Sequence, residues 1–215
     1  MAVAVPRLML VLDPDRLPAG LSWPDLADRA VAGGVDGVIV RGRGERLAAL
    51  PEMAATLQER IGDRAVVLVN GDPETAIRLG LGIHLPEQGV SLSSLRERLG
   101  PDVLIGRSVH SPASAAASIG ADYLLAGHVY STNSHPGVGP IGLTRFTAIA
   151  SATSIPVIAI GGINVSRIPE IMRTGASGIG IIDAIASAED PEAAARELAF
   201  ALAASLVART STAQE

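Results

Sequence analysis

Eight short apolar runs, each followed by a stretch of helical spacing, restrict this chain to very few folds. The runs cover residues 7–12, 37–40, 65–69, 82–85, 102–105, 123–126, 156–160 and 178–182. Apolar throughout rather than alternating, they read as strands of a parallel sheet buried on both faces. Helices are predicted over residues 23–32, 46–60, 73–79, 92–99, 112–119, 143–151, 165–174 and 191–207. Pro51 must stand at a helix start or a break, because its ring clashes inside a helix. The glycine-led tripeptides Gly34-Val35-Asp36, Gly120-Ala121-Asp122 and Gly175-Ala176-Ser177 separate helix from strand, using glycine's access to positive φ. Eight βα alternations in 215 residues predict an α/β fold, a single (β/α)8 TIM barrel. One domain is expected over 1–215, with a polar tail from about residue 209.

Composition narrows the function classes. The net charge of −5 and the five aromatics give no cationic footprint and no stacking platform, so no nucleic-acid partner is expected. The absence of cysteine excludes disulfides, thiolate metal sites and cysteine nucleophiles. No apolar run reaches the roughly 20 residues that cross a bilayer, and residues 1–6 lack the regions of a signal peptide. A cytoplasmic protein without a membrane partner is expected.

In such barrels chemistry gathers where strands end. After the seventh strand stands Gly161-Gly162, whose N–H groups can approach phosphate oxygens without competing side chains. After the eighth stands Ile182-Asp183-Ala184. Gly161, Gly162, Ile182 and Asp183 are therefore the candidate phosphate cradle, with Asp183 contributing its N–H while its side chain turns away. Residues 127–142 form the longest glycine-rich polar loop, suited to covering a ligand. His128 opens it, where an imidazole can exchange protons near neutral pH. Ser131, Thr132 and Asn133 are candidate donors to a phosphate or carboxylate, and His135 is read as solvated. Arg41 and Arg43 place two cations near the barrel mouth, as an anionic substrate requires. His84 reads as a core histidine with a hydrogen-bond partner; His110 either caps a helix or lines the site. Asp72, Glu87 and Asp183 are the sparse strand-end acids and form no metal cluster, so no metal site is expected.

Three stretches carry a family resemblance: residues 105–111 (IGRSVHS), 126–130 (AGHVY) and 155–163 (IPVIAIGGI). They resemble the thiamine phosphate synthase superfamily, and within it most closely the TenI branch of thiazole tautomerases. The resemblance implies an isomerase of thiamine biosynthesis that aromatises a carboxythiazole phosphate by a metal-independent proton shift. It implies His128 as the acid/base, a phosphorylated thiazole as ligand, no cofactor, and a homodimer. It adds Asn70 and Ser108 to the substrate-binding set.

The alternative is the synthase branch, a transferase that joins a pyrimidine diphosphate to a thiazole phosphate with Mg²⁺. That branch ends its third strand in Asn-Asp-Arg; here the residues are Asn70-Gly71-Asp72. Its second metal-binding aspartate is expected after the fourth strand, where this chain reads Leu85-Pro86-Glu87-Gln88-Gly89. Its pyrimidine-recognising glutamine stands as Ile39, and this chain has no lysine for the sixth loop. A non-catalytic thiazole or thiamine phosphate-binding regulator is a third reading, and a different phosphate-binding barrel enzyme a fourth.

Overall fold

In the computed structural model, which describes residues 4–17, 20–132 and 137–212, eight parallel strands close into a barrel in chain order. They are β1 (Leu8–Leu12), β2 (Gly37–Val40), β3 (Val66–Asn70), β4 (Gly82–Leu85), β5 (Ile105–Val109), β6 (Tyr123–Gly127), β7 (Val157–Ile160) and β8 (Gly178–Ile181). Closure is made by β1 against β8, with Met9 opposite Gly180. The helices are α1 (Trp23–Ala32), α2 (Leu50–Ile61), α3 (Pro73–Leu79), α4 (Leu92–Leu99), α5 (Pro112–Ala116), α6 (Gly142–Ser151), α7 (Ile168–Arg173), α8 (Asp183–Ala186) and α9 (Pro191–Thr212).

The two-residue period of each strand sorts its side chains into two cores. Leu8, Leu10 and Leu12, Val38 and Val40, and Val67 and Val69 point outward to the helices. Met9, Val11, Ile39, Leu68, Tyr123, Leu125 and Ile158 fill the barrel itself. Side-chain oxygens start several helices: Ser22 accepts from the Asp25 N–H, Asp72 from Thr75 and Ser111 from Ser114.

Several boundaries differ from expectation. The fifth strand is not 102–105 but Ile105–Val109. An apolar run marks only its entry, because Gly106 and Ser108 face the barrel interior, where the site needs small and polar groups. The predicted helix 46–60 begins at Leu50 with Pro51 in its first turn, after a separate 3-10 turn at Gly44–Leu47. The segment 165–174 divides into a 3-10 turn, Val165–Arg167, and α7, which has proline in its own first turn. Helix α5 stops at Ala116, short of residue 119. Helix α9 continues to Thr212, past residue 209, where a tail was expected.

Candidate functional site

At the C-terminal mouth of the barrel lies a cavity of about 590 Å³. Its floor is set by strand periodicity. The inward side chains nearest each strand end are Val11, Ile39, Asn70, His84, Ser108, Leu125 and Ile160, and all line it. Gly180 on β8 leaves room instead of filling it.

One wall is a set of backbone donors. Gly161 and Gly162 have φ of +98° and +66°, a region L side chains rarely adopt. Contact forbids a side chain there as well. A Cβ on Gly161 would overlap the Cβ of His128, and one on Gly162 would lie 2.6 Å from the Ser131 carbonyl. Among the described residues, the N–H groups of Gly161, Gly162, Ile163, Asp183 and Ala184 donate to no acceptor. Five open N–H groups along one wall form an anion cradle. Arg167 braces it from behind, donating to the Gly162 carbonyl while its guanidinium sits 4.3 Å over the Tyr130 ring. The Tyr130 hydroxyl in turn donates to Glu170.

Asp183 lines the cavity beside this cradle, and its carboxylate does not stand alone. Arg16, from the turn after β1, donates to its Oδ1 at 2.7 Å. The guanidinium offsets the repulsion a phosphate would otherwise meet. We therefore expect Arg16→Ala to weaken binding of thiazole phosphate about 10-fold, and Arg16→Ala with Asp183→Ser to restore it. Calorimetry on the four proteins of this cycle measures the coupling.

Two arginines also line the cavity, from different sides of the barrel. Arg41, at the end of β2, is half-buried and lines the cavity. Its backbone N–H bonds to the Leu12 carbonyl, but its side chain makes no ion pair or hydrogen bond among the described residues. Burial, and then neighbouring Arg43, hold its pKa below the usual arginine value. Arg43 points elsewhere, 3.7 Å from the buried Asp13 carboxylate, and does not line the cavity. Arg145, on α6, does line it and likewise has no ion pair among the described residues.

Beneath these groups His84 bridges two hydroxyls, with Nδ1 3.0 Å from Tyr123 Oη and Nε2 2.9 Å from Ser108 Oγ. The Tyr123 ring reaches it by lying across Gly106, where any Cβ would overlap the phenol. Burial, then the charge of Arg41, lowers the His84 pKa to about 3, so its imidazole is neutral at working pH. The unfolded chain titrates near 6.5 and binds the extra proton first. This site's contribution to stability is therefore full above pH 6.5 and is lost as pH falls toward 3. We expect His84→Gln to flatten the acid limb of stability in that window by up to about 1.4 kcal/mol per pH unit. Urea titrations from pH 7 to 4 read this slope.

His128 is 8% exposed and lines the cavity. Its Nε2–H donates to the Val138 carbonyl at 3.1 Å, pinning the far side of the glycine-rich loop. Thr132 lines the cavity, whereas Ser131 is exposed and does not. Asn133 and His135 lie outside the described residues. His110 lines the mouth and holds Glu87, whose oxygens accept from its N–H and its Nδ1 at 3.0 Å each. Asp13, Arg16 and Arg145 were missed by sequence reasoning.

The carboxylates do not fit a divalent metal. Asp72 commits both oxygens to Thr75, at 3.1 Å to N and 2.6 Å to Oγ1, and does not line the cavity. Glu87 is taken by His110, and Asp183 by Arg16. No group of three acidic or histidine side chains could hold a metal ion among the described residues.

Comparison with known proteins places this site in a family. The sequence profile described as thiamine monophosphate synthase matches residues 8–185. The chain belongs to the thiamine monophosphate synthase family. The thiamine-phosphate synthase of Haloquadratum walsbyi is 39% identical over 196 residues, covering 88% of this chain and 87% of its own. That of Natronomonas pharaonis is 37% identical, covering 86% and 89%. The solved thiamine phosphate pyrophosphorylase of Pyrococcus furiosus superposes with a TM-score of 0.80 at 29% identity, covering 93% of this chain and 96% of its own. These relatives overturn the expectation of a TenI-type tautomerase. That expectation rests on the segment around His128 and on departures from the synthase pattern at Ile39, Gly71, residues 85–89 and the lysine-free sixth loop, whereas identity along most of the chain lies with the synthases. No described helix is long and apolar enough to cross a membrane.

Proposed function

We propose that this chain is a transferase of the thiamine-phosphate synthase type, joining a pyrimidine diphosphate to a thiazole phosphate. Identity of 37–39% to thiamine-phosphate synthases over 86–88% of the chain carries the reading. In the reaction the thiazole nitrogen lone pair forms a C–N bond to the pyrimidine methylene carbon. The C–O bond to diphosphate breaks, and its electron pair leaves with pyrophosphate. The open N–H groups of Gly161, Gly162 and the Asp183–Ala184 turn suit the thiazole phosphate. Arg41 suits the leaving diphosphate, where developing negative charge gains most from a fixed cation. His128 serves here as the anchor of the loop that covers the cavity and excludes water.

One observation favours a second reading, a non-catalytic holder of thiazole or thiamine phosphate: the carboxylate that lines the cavity, Asp183, is already paired with Arg16. Complementation separates the two. A bacterium deleted for its own synthase and expressing this chain should grow without thiamine. Failure to grow, with the soluble protein present, favours the holder.

A further inference from the structure

We propose that this protein engages its diphosphate substrate without a divalent cation, the guanidinium groups of Arg41 and Arg145 supplying the positive charge. The inference deepens the transferase reading and rests on it for the identity of the substrate. Its first support is charge. Arg41, Arg145 and Asp183 are the arginine and carboxylate side chains on the cavity wall, and Asp183 is already paired with Arg16. Two arginines therefore line the cavity without a direct ion pair to a described carboxylate, Arg41 feeling Asp13 only at a distance.

The second support is cost. Half-burying the Arg41 guanidinium without a direct ion pair is unfavourable, and an anion arriving in the cavity relieves it. A divalent cation brought beside either guanidinium would instead add charge of like sign. It would also find none of the one or two free carboxylates such an ion ordinarily requires. A third support is the neutrality of His84, which leaves the floor without a competing charge. An acid-poor cavity lined by two arginines without direct ion pairs is the electrostatic complement of a diphosphate by itself.

The test uses inorganic pyrophosphate as probe and calorimetry as readout, on the full chain. Binding is measured in EDTA and in Mg²⁺ at equal free pyrophosphate. The two dissociation constants should agree within about twofold. Arg41→Gln with Arg145→Gln should weaken binding by roughly 100-fold or more in EDTA, with the melting temperature retained. Binding seen only with Mg²⁺ overturns the inference, as does metal-free binding indifferent to both substitutions. Turnover is assayed separately, so the two claims fail differently. Product formed only with Mg²⁺ ends metal independence and keeps the transferase. Metal-free pyrophosphate binding that needs both arginines, with no product in either condition, ends the transferase and keeps the anion site.

Discussion

Arg41→Ala is expected to lower kcat/KM for the pyrimidine diphosphate by roughly 30- to 1,000-fold, with little change in thermal stability. The magnitude follows from removing one partner of a half-buried, charge-assisted contact, which costs about 2–4 kcal/mol. Stability should hold because the Arg41 side chain makes no described contact that the fold relies on, and losing it removes a desolvated charge. Arg43→Ala is the internal control. Its guanidinium faces Asp13 and not the cavity, so its effect on turnover should be several-fold smaller. Steady-state kinetics of the two variants, beside their melting curves, check this. Equal losses would mean that the β2 end acts through its general field and not through a contact.

Gly161→Ala is expected to remove thiazole phosphate binding and to lower the melting temperature by about 4–24 °C. A non-glycine residue at a φ of +98° costs about 1–3 kcal/mol. The new methyl also has no space, since it would overlap the Cβ of His128 and sit 2.7 Å from its Cα. Relief of such overpacking costs about 1–3 kcal/mol more, and a domain of this size loses about 2–4 °C per kcal/mol. The movement that relieves the clash pushes His128 and the β7 turn apart, so the open N–H groups no longer converge. Gly142→Ala tests the steric part. It shares a positive φ, +70°, but its added methyl would meet nothing within 4 Å, so it carries only the backbone strain. Differential scanning calorimetry and phosphate titration of both variants measure the difference.

The strands were legible because burial on both faces writes an unbroken apolar run. The fifth strand was misplaced for the complementary reason: Gly106 and Ser108 serve the cavity, and a strand that builds a site loses the pattern that announces strands. The open N–H groups after β7 were legible because Gly161-Gly162 directly follows a strand. Arg16 and Arg145 were not. One sits in a turn and the other on a helix, and before folding neither differs from a surface charge. His84 could be read as a core histidine, but its partner Tyr123 lies 39 residues away and meets it through the barrel's closure. His128 shows the limit of local motifs. An imidazole at a strand end looks the same whether it shuttles a proton or holds a loop, and only similarity along the whole chain turned the reading away from the tautomerase.

The most direct test of the transferase is a turnover assay of the purified chain with the pyrimidine diphosphate and the thiazole phosphate. It follows pyrophosphate release and the mass of the product. The account predicts stoichiometric pyrophosphate and thiamine phosphate, both formed at least about 30-fold more slowly in Arg41→Ala at limiting pyrimidine diphosphate. Thiazole phosphate that binds in the cavity without any product, whether or not Mg²⁺ is added, would contradict it.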